Sequence, residues 1–375
     1  MIGIHPARRR DKVPSKSRKA KRGTAFGKGR SFRHGCMDGL RLALNVCSSH
    51  KPLFGMMIIM RTNLIPLLKR CWIIAGPTSS GKSDLAMALA RAINGEIVAV
   101  DSMTVFRGLD IGTAKPSLAD RNAIKHHLID VLDPHESNDV ATWLERCREC
   151  LTTLLAQGII PILTGGSGLY WKAMLHGLPE HPPGNPTIRL RLEEDANTHG
   201  TESLHERLNR IDPLAAMKIH VADRRRIIRG LEVWEMTGVP LSANRPDWSI
   251  ATDIQPDSGM RWLWLSWPRP LLHSRIEKRV LAMFEAGWTQ EVGFLEKAGG
   301  LGPQSCKALG YETIRLALHA GTTRPKLIQR VTEETRQYAK QQETWLRSMP
   351  CIRPWPMFES PSESNEVVKM LSVET

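Results

Sequence analysis

Gly76-Pro77-Thr78-Ser79-Ser80-Gly81-Lys82-Ser83 follows the apolar run CWIIA at 71–75 and precedes a segment in which Leu85, Leu89 and Ile93 recur along one helical face. The order is buried strand, glycine-rich turn, amphipathic helix, and the turn fits GxxxxGK[ST], a loop whose backbone N–H groups close around a phosphate chain. Glycines let the amides turn inward and the helix start adds partial positive charge. Lys82 then reaches the phosphates, and Ser83 is a candidate ligand for Mg2+. Residues 76–83 are therefore the predicted diphosphate cradle.

Outward from this loop, residues 96–100 read as a second buried strand ending at Asp101. Val140, Leu144, Cys147, Leu151 and Leu154 mark another amphipathic helix, and residues 159–163 read as a third strand running into Thr164-Gly165-Gly166-Ser167-Gly168. Strands alternating with helices predict an α/β fold, a P-loop NTPase-like parallel sheet with ligands at the carboxyl ends of its strands. The Pro-rich run at 179–186 breaks this pattern, and the following polar, helix-periodic residues lack a strand signal to about 238. A helical insertion over 181–256 is expected to split the core into 71–180 and 257–350. An aromatic-rich strand at 261–267 opens the second part, and residues 351–375 read as a tail.

The net charge of +14 has a local origin. Residues 1–70 hold 17 Lys+Arg against 2 Asp+Glu, and the remaining 305 residues hold 35 against 36. A nucleic-acid surface in the folded part must therefore come from clusters of Lys and Arg. Residues 1–60 are basic and lack a sustained apolar period, as expected of a disordered extension, an organelle-type leader or an over-long start, with Met60 just ahead of the first strand. The apolar stretch around 53–60 is far shorter than a membrane span needs. Seven cysteines without scaffold spacing fit a reducing compartment such as the cytoplasm, and the Cys147–Cys150 pair has no second half to complete a zinc site.

A P-loop identifies phosphate but not the reaction. Asp101, just past the second strand, reads either as a turn cap or as a functional carboxylate, while the third strand ends in Thr164 and Gly165 and offers none. Arg275 and Arg279 are one helical turn apart, placed either to meet a diphosphate together or to form a solvated face with Glu277 or Glu285. Arg224, Arg225, Arg226 and Arg229 cluster on the insertion, where a plain charged face is the ordinary reading. Along 335–347, Arg336, Lys340 and Arg347 share one helical face, and Tyr338 and Trp345 share another.

Seven blocks in order resemble the tRNA dimethylallyltransferases, also called tRNA isopentenyltransferases, over about 72–347. They are GPTSSGKS at 76–83, DSMTVFRGLDIGTAKP at 101–116, HHLID at 126–130, GGSGLYWKA at 165–173, DRRRIIRGLEVWEMTG at 223–238, CKALGY at 306–311 and TRQYAKQQETWLR at 335–347. The resemblance implies transfer of a dimethylallyl group from its diphosphate to the exocyclic amine of the adenosine next to the anticodon in tRNA. On that reading Asp101 is the general base, and Lys82, Ser83, Mg2+, Arg275 and Arg279 serve the diphosphate. The tRNA anticodon stem-loop would meet Asp101, Ser102, Met103, Thr104, Ser167, Arg225, Arg226, Arg229, Lys307, Tyr311, Lys340 and Arg347, in a monomer. Ser80, Ser83 and Ser167 depart mildly from the family pattern, Thr104 replaces a commoner Gln, and Glu312 stands where a basic residue is usual. The rival readings are a P-loop small-molecule kinase, a prenyltransferase of free adenine nucleotides, and a non-catalytic nucleic-acid binder. The first two do not need the arginine-rich insertion, and the last leaves the P-loop and Asp101 unexplained.

Overall fold

The computed structural model describes residues 64–178, 181–243, 259–349, 354–356 and 368–369. The expected extension at 1–60, the end of the insertion and most of the tail lie outside these residues. Six strands form one parallel sheet in the order β3-β2-β4-β1-β5-β6: β1 (Trp72–Ala75), β2 (Glu96–Val100), β3 (His126–His127), β4 (Pro161–Gly165), β5 (Arg261–Ser266) and β6 (Pro354–Pro356). Apolar residues fill the central strands continuously because both faces are covered. Ile73, Ala75, Val98, Val100 and Leu163 face one core, while Trp72, Ile74, Ile97, Ile162, Leu263 and Leu265 face the other.

Two short helices come first: α1 (Ile65–Leu68), then α2 (Lys82–Ile93), which packs Leu85, Ala86 and Leu89 against the second face. Then come α3 (Leu118–Ala123), α4 (Val140–Ala156) and α5 (Gly168–His176). The insertion consists of α6 (Pro186–Ile211), α7 (Pro213–Lys218) and α8 (Arg224–Thr237). The chain returns through α9 (Arg269–Glu285), α10 (Trp288–Lys297), a 3-10 turn (Ser305–Lys307), α11 (Tyr311–Ala320) and α12 (Arg324–Arg347). Residues of α4, α5 and α9 to α12 join the first core. The insertion has its own apolar core, with Leu192, Leu204, Leu208, Ile227, Ile228 and Leu231 buried together.

Three details differ from the sequence expectation. The strand expected at 159–163 runs from Pro161 to Gly165, because the Ile159 amide still closes the end of α4 on the Leu154 carbonyl. The two-residue strand β3 carries no apolar run, so only its edge pairing with β2 reveals it. Within the expected tail, β6 pairs with β5 at the sheet edge, the place in a sheet where proline is tolerated.

Candidate active site

Parallel register brings three loops to one level. Gly165 pairs with Ala75 on one side and Val100 on the other, so the loops that begin at Gly76, Asp101 and Gly166 leave the sheet side by side. Only glycine fits at 165, since a Cβ there would stand 2.0 Å from the Val100 carbonyl oxygen. These strand ends carry every residue expected to do chemistry.

The loop at 76–83 adopts the required shape by placing Ser79 (φ 64°) and Gly81 (φ 87°) in the left-handed region. Among the described residues no protein acceptor takes the amides of Ser79, Gly81, Lys82 or Ser83, and no side chain caps α2. These orphan donors at a helix start form an anion cradle. Its outer side is tied down by residues far along the chain. Arg275 donates its Nε–H to the Ser79 carbonyl (2.8 Å), Trp267 donates to Ser80 O (2.9 Å), and the Arg275 guanidinium lies over the Trp267 ring. The Thr78 amide donates to Gln342 Oε1 at 2.8 Å.

Lys82 Nζ bends back onto the Pro77 carbonyl (3.2 Å). Burial and then the neighbouring Arg279 guanidinium pull its pKa down to about 8, against the opposite pull of Asp101 and Asp84. Burial also lowers the Arg279 pKa. Two cations crowded into one partly buried place without a bonded carboxylate make a site that favours a polyanion. The alternative pairing of Arg275 and Arg279 with Glu277 is not what forms, because Glu277 bonds Arg336 instead. A groove of about 670 Å3 between α9 and α12 is lined by Glu277, Glu285 and Glu333 together with Arg324 and Arg336, and it contains none of the loop residues.

Asp101 is both a turn cap and a member of this site. Its Oδ1 accepts the amides of Met103 (2.7 Å) and Thr104 (3.2 Å), while no hydrogen bond among the described residues reaches its other oxygen. Burial and then the Asp101 charge raise the pKa of Tyr338 and of Tyr170, which puts both phenols in its neighbourhood. Ser167 and Gln342 act on Tyr338 in the opposite sense. Thr104 and Ser167 are buried. The structure therefore gathers the P-loop, Asp101 to Thr104, Ser167, Arg275 and Arg279. It adds Tyr338, which shares a helical face with Trp345, and Gln342, which no sequence pattern singles out.

Other expected contacts stand apart from this group. Tyr311 is fully buried and donates its hydroxyl to Glu291 Oε1 (2.6 Å). That corrects the expectation of an RNA contact there: the ring lies beneath the loop that follows Asp101. Glu291 also accepts the amides of Asp110 (3.0 Å), Ile111 (2.7 Å) and Gly112 (3.3 Å), and Lys115 ties the same loop to Phe106 O, Asp110 and Asp130. No sequence pattern pointed to Glu291, since a lone Glu on a helix reads as solvated.

On α8, Arg225 is exposed and Arg226 lies 3.4 Å from Asp223. Arg229 is 30% exposed and bonds Glu232 (2.7 Å) and the Pro182 carbonyl (2.7 Å). Lys307, Lys340 and Arg347 are exposed, and Arg347 pairs with Glu343 (3.1 Å).

Residues 104–349 match a family model described as IPP transferase. The tRNA dimethylallyltransferase of Roseiflexus castenholzii is 40% identical over 300 residues, covering 78% of this chain and 93% of that protein. That of Geobacter sulfurreducens is 40% identical over 300 residues, covering 80% and 95%. Among solved structures, a tRNA isopentenylpyrophosphate transferase from Bacillus halodurans superposes with a TM-score of 0.57 at 32% identity, over 82% of this chain and 96% of that one. A eukaryotic dimethylallyltransferase acting on tRNA superposes with a TM-score of 0.64 at 25% identity, over 81% and 78%.

Proposed function

Because the chain belongs to the tRNA dimethylallyltransferase family, we infer that it moves a dimethylallyl group from dimethylallyl diphosphate to the exocyclic amine of the adenosine beside the anticodon, releasing diphosphate. The observation that carries this reading is the register that aligns Ala75, Val100 and Gly165, since it opens a phosphate cradle beside a carboxylate at the carboxyl ends of the central strands.

In the reaction the allylic C–O bond breaks as the N–C bond forms, and negative charge builds on the departing diphosphate. Lys82, Arg275, Arg279 and the loop amides stabilise that charge because they are oriented before it appears. The exocyclic amine is a weak nucleophile, its lone pair being shared with the ring, and it must lose a proton. Asp101 takes that proton through the carboxylate oxygen left over from the turn. Magnesium fits the donor set, since the exposed Ser83 hydroxyl together with diphosphate oxygens and water is the hard-oxygen environment this ion prefers. When bound there, it would neutralise part of the charge on the leaving group.

RNA contact is assigned to Ser102, Met103, Thr104 and Ser167 at the reacting base, and to Arg225, Arg226, Lys307, Lys340 and Arg347 along the stem. We assign 71–180 and 257–350 to the core and 181–256 to the RNA-binding insertion of a monomer. Among the described residues no helix is long and apolar enough to cross a membrane, and work on tRNA in the cytoplasm fits that. The deciding experiment is incubation of the full chain with labelled dimethylallyl diphosphate and either tRNA or AMP. Label should pass to tRNA alone; label on AMP, or none on RNA, rejects the reading.

A further inference from the structure

Gln342 takes no part in the chemistry above, yet it is 4% exposed and reaches the P-loop from α12, 264 residues along the chain. Its carboxamide is wedged between two catalytic loops. Oε1 accepts the Thr78 amide at 2.8 Å, and Nε2 presses on Gly166, where a Cβ would stand 2.2 Å from Nε2 and 3.0 Å from the Gly76 carbonyl oxygen. Glycine at 166 is thus what admits the carboxamide. One helical turn earlier, Tyr338 borders Asp101 and Ser167, and three residues later Trp345 closes on Gly168, where a Cβ would lie 2.4 Å from the Trp345 Cβ. The inner face of α12 therefore touches the P-loop and the loop after β4, while the same helix exposes Lys340 and Arg347.

The Thr78 amide is only part-buried, and its acceptor belongs to another element. That bond ties the first turn of the P-loop to the seating of α12. We propose that Gln342 is a positioning residue that couples the two substrates: RNA held on the outer face of α12 fixes the carboxamide that presets the P-loop for the donor diphosphate. The inference rests on assigning the P-loop to the donor and Lys340 and Arg347 to RNA. RNA stabilises the state in which the Gln342 to Thr78 bond is made, and diphosphate binds that state more tightly. The gain must then be reciprocal. Since one neutral hydrogen bond carries the effect, its size is about three- to tenfold.

The test is calorimetric binding of inorganic diphosphate to the full chain, with and without a saturating anticodon stem-loop RNA. Wild type should bind diphosphate about three- to tenfold more tightly when RNA is present. In Gln342→Ala that ratio should fall to about one, with RNA affinity in the absence of diphosphate within about twofold of wild type. Gly166→Ala, which displaces the same carboxamide from its other side, should reproduce the loss if the first variant folds poorly. A wild type without coupling, or a folded Gln342→Ala that keeps it, overturns the proposal. If Lys340→Ala with Arg347→Ala binds RNA as wild type does, it is the RNA assignment of that face that falls, a separate result from the ratio in Gln342→Ala.

Discussion

Replacing Asp101 by Asn keeps an oxygen able to accept the Met103 and Thr104 amides but removes the basicity, whereas Ala removes both. Asp101→Asn should therefore lower the single-turnover rate by about a hundredfold or more while tRNA affinity stays within about threefold, because a base acts mainly in the transition state. Near-normal single turnover in that variant ends the assignment. Lys82 supplies a second test at this scale. Its pKa of about 8 means that the ammonium is lost as pH rises through 8 in the free protein. Diphosphate prefers the charged form, so its affinity should fall above pH 8, by at most about tenfold per pH unit, with a proton taken up on binding. Lys82→Arg stays charged and should flatten that profile; an unchanged slope in this variant argues against Lys82 as the titrating group.

The helices of the insertion depend on a carboxylate that their sequence does not advertise. Glu232 is fully buried and accepts from Arg189, Arg229 and the Asn185 amide. Burial alone would raise its pKa, but the bonds from Arg229 and Arg189 outweigh that and leave it lowered. A lowered carboxylate stabilises the fold above its unfolded pKa, and that contribution disappears as pH falls through the folded value. Glu232→Ala should cost about 1–3 kcal/mol, because the Asn185 amide and two arginines lose their acceptor. Thermal melts of wild type and variant should converge in acid, and a constant gap at all pH values counts against the ion pairs. The same network separates two arginines one turn apart on α8. Arg225→Ala should weaken tRNA binding and flatten its salt dependence by about one unit of slope. Arg229→Ala should instead lower the melting temperature of the insertion, and a purely RNA-binding defect there disproves its place in that network. The loop after Asp101 is equally constrained, since a Cβ on Gly112 would stand 2.1 Å from Trp288 Nε1 and 2.4 Å from Tyr311 Cε2. Gly112→Ala should destabilise by about 1–3 kcal/mol through overpacking, measurable by denaturant titration.

For the whole molecule, the charge balance makes a prediction. Residues 71–375 carry about as many acids as bases, so a chain lacking residues 1–59 should keep its prenylation activity at physiological salt. The positive excess of the first 70 residues should add only sequence-independent RNA affinity that fades steeply with added salt. Loss of activity on truncation at every salt concentration contradicts this. The cradle and the central strands were legible because strand, glycine-rich turn and amphipathic helix are local patterns, written most clearly at 71–93. Asp101 was legible as a residue ending a buried strand, and its role came from the resemblance of the motif blocks. The pairing partners were not legible. Gln342 and Glu291 are ordinary helical polar residues whose backbone donors lie more than 170 residues away, at Thr78 and at Asp110 to Gly112. Tyr311 reads as a surface contact until the fold turns it inward onto Glu291, and the bond from Arg229 to Glu232 is likewise a matter of packing. Backbone geometry and amphipathic period are short-range properties, so the sequence by itself determined the α/β core, the P-loop and the helical insertion. Which buried donor meets which acceptor depends on how distant elements pack, so only the tertiary structure decided which polar side chains face substrate and which hold the loops in place.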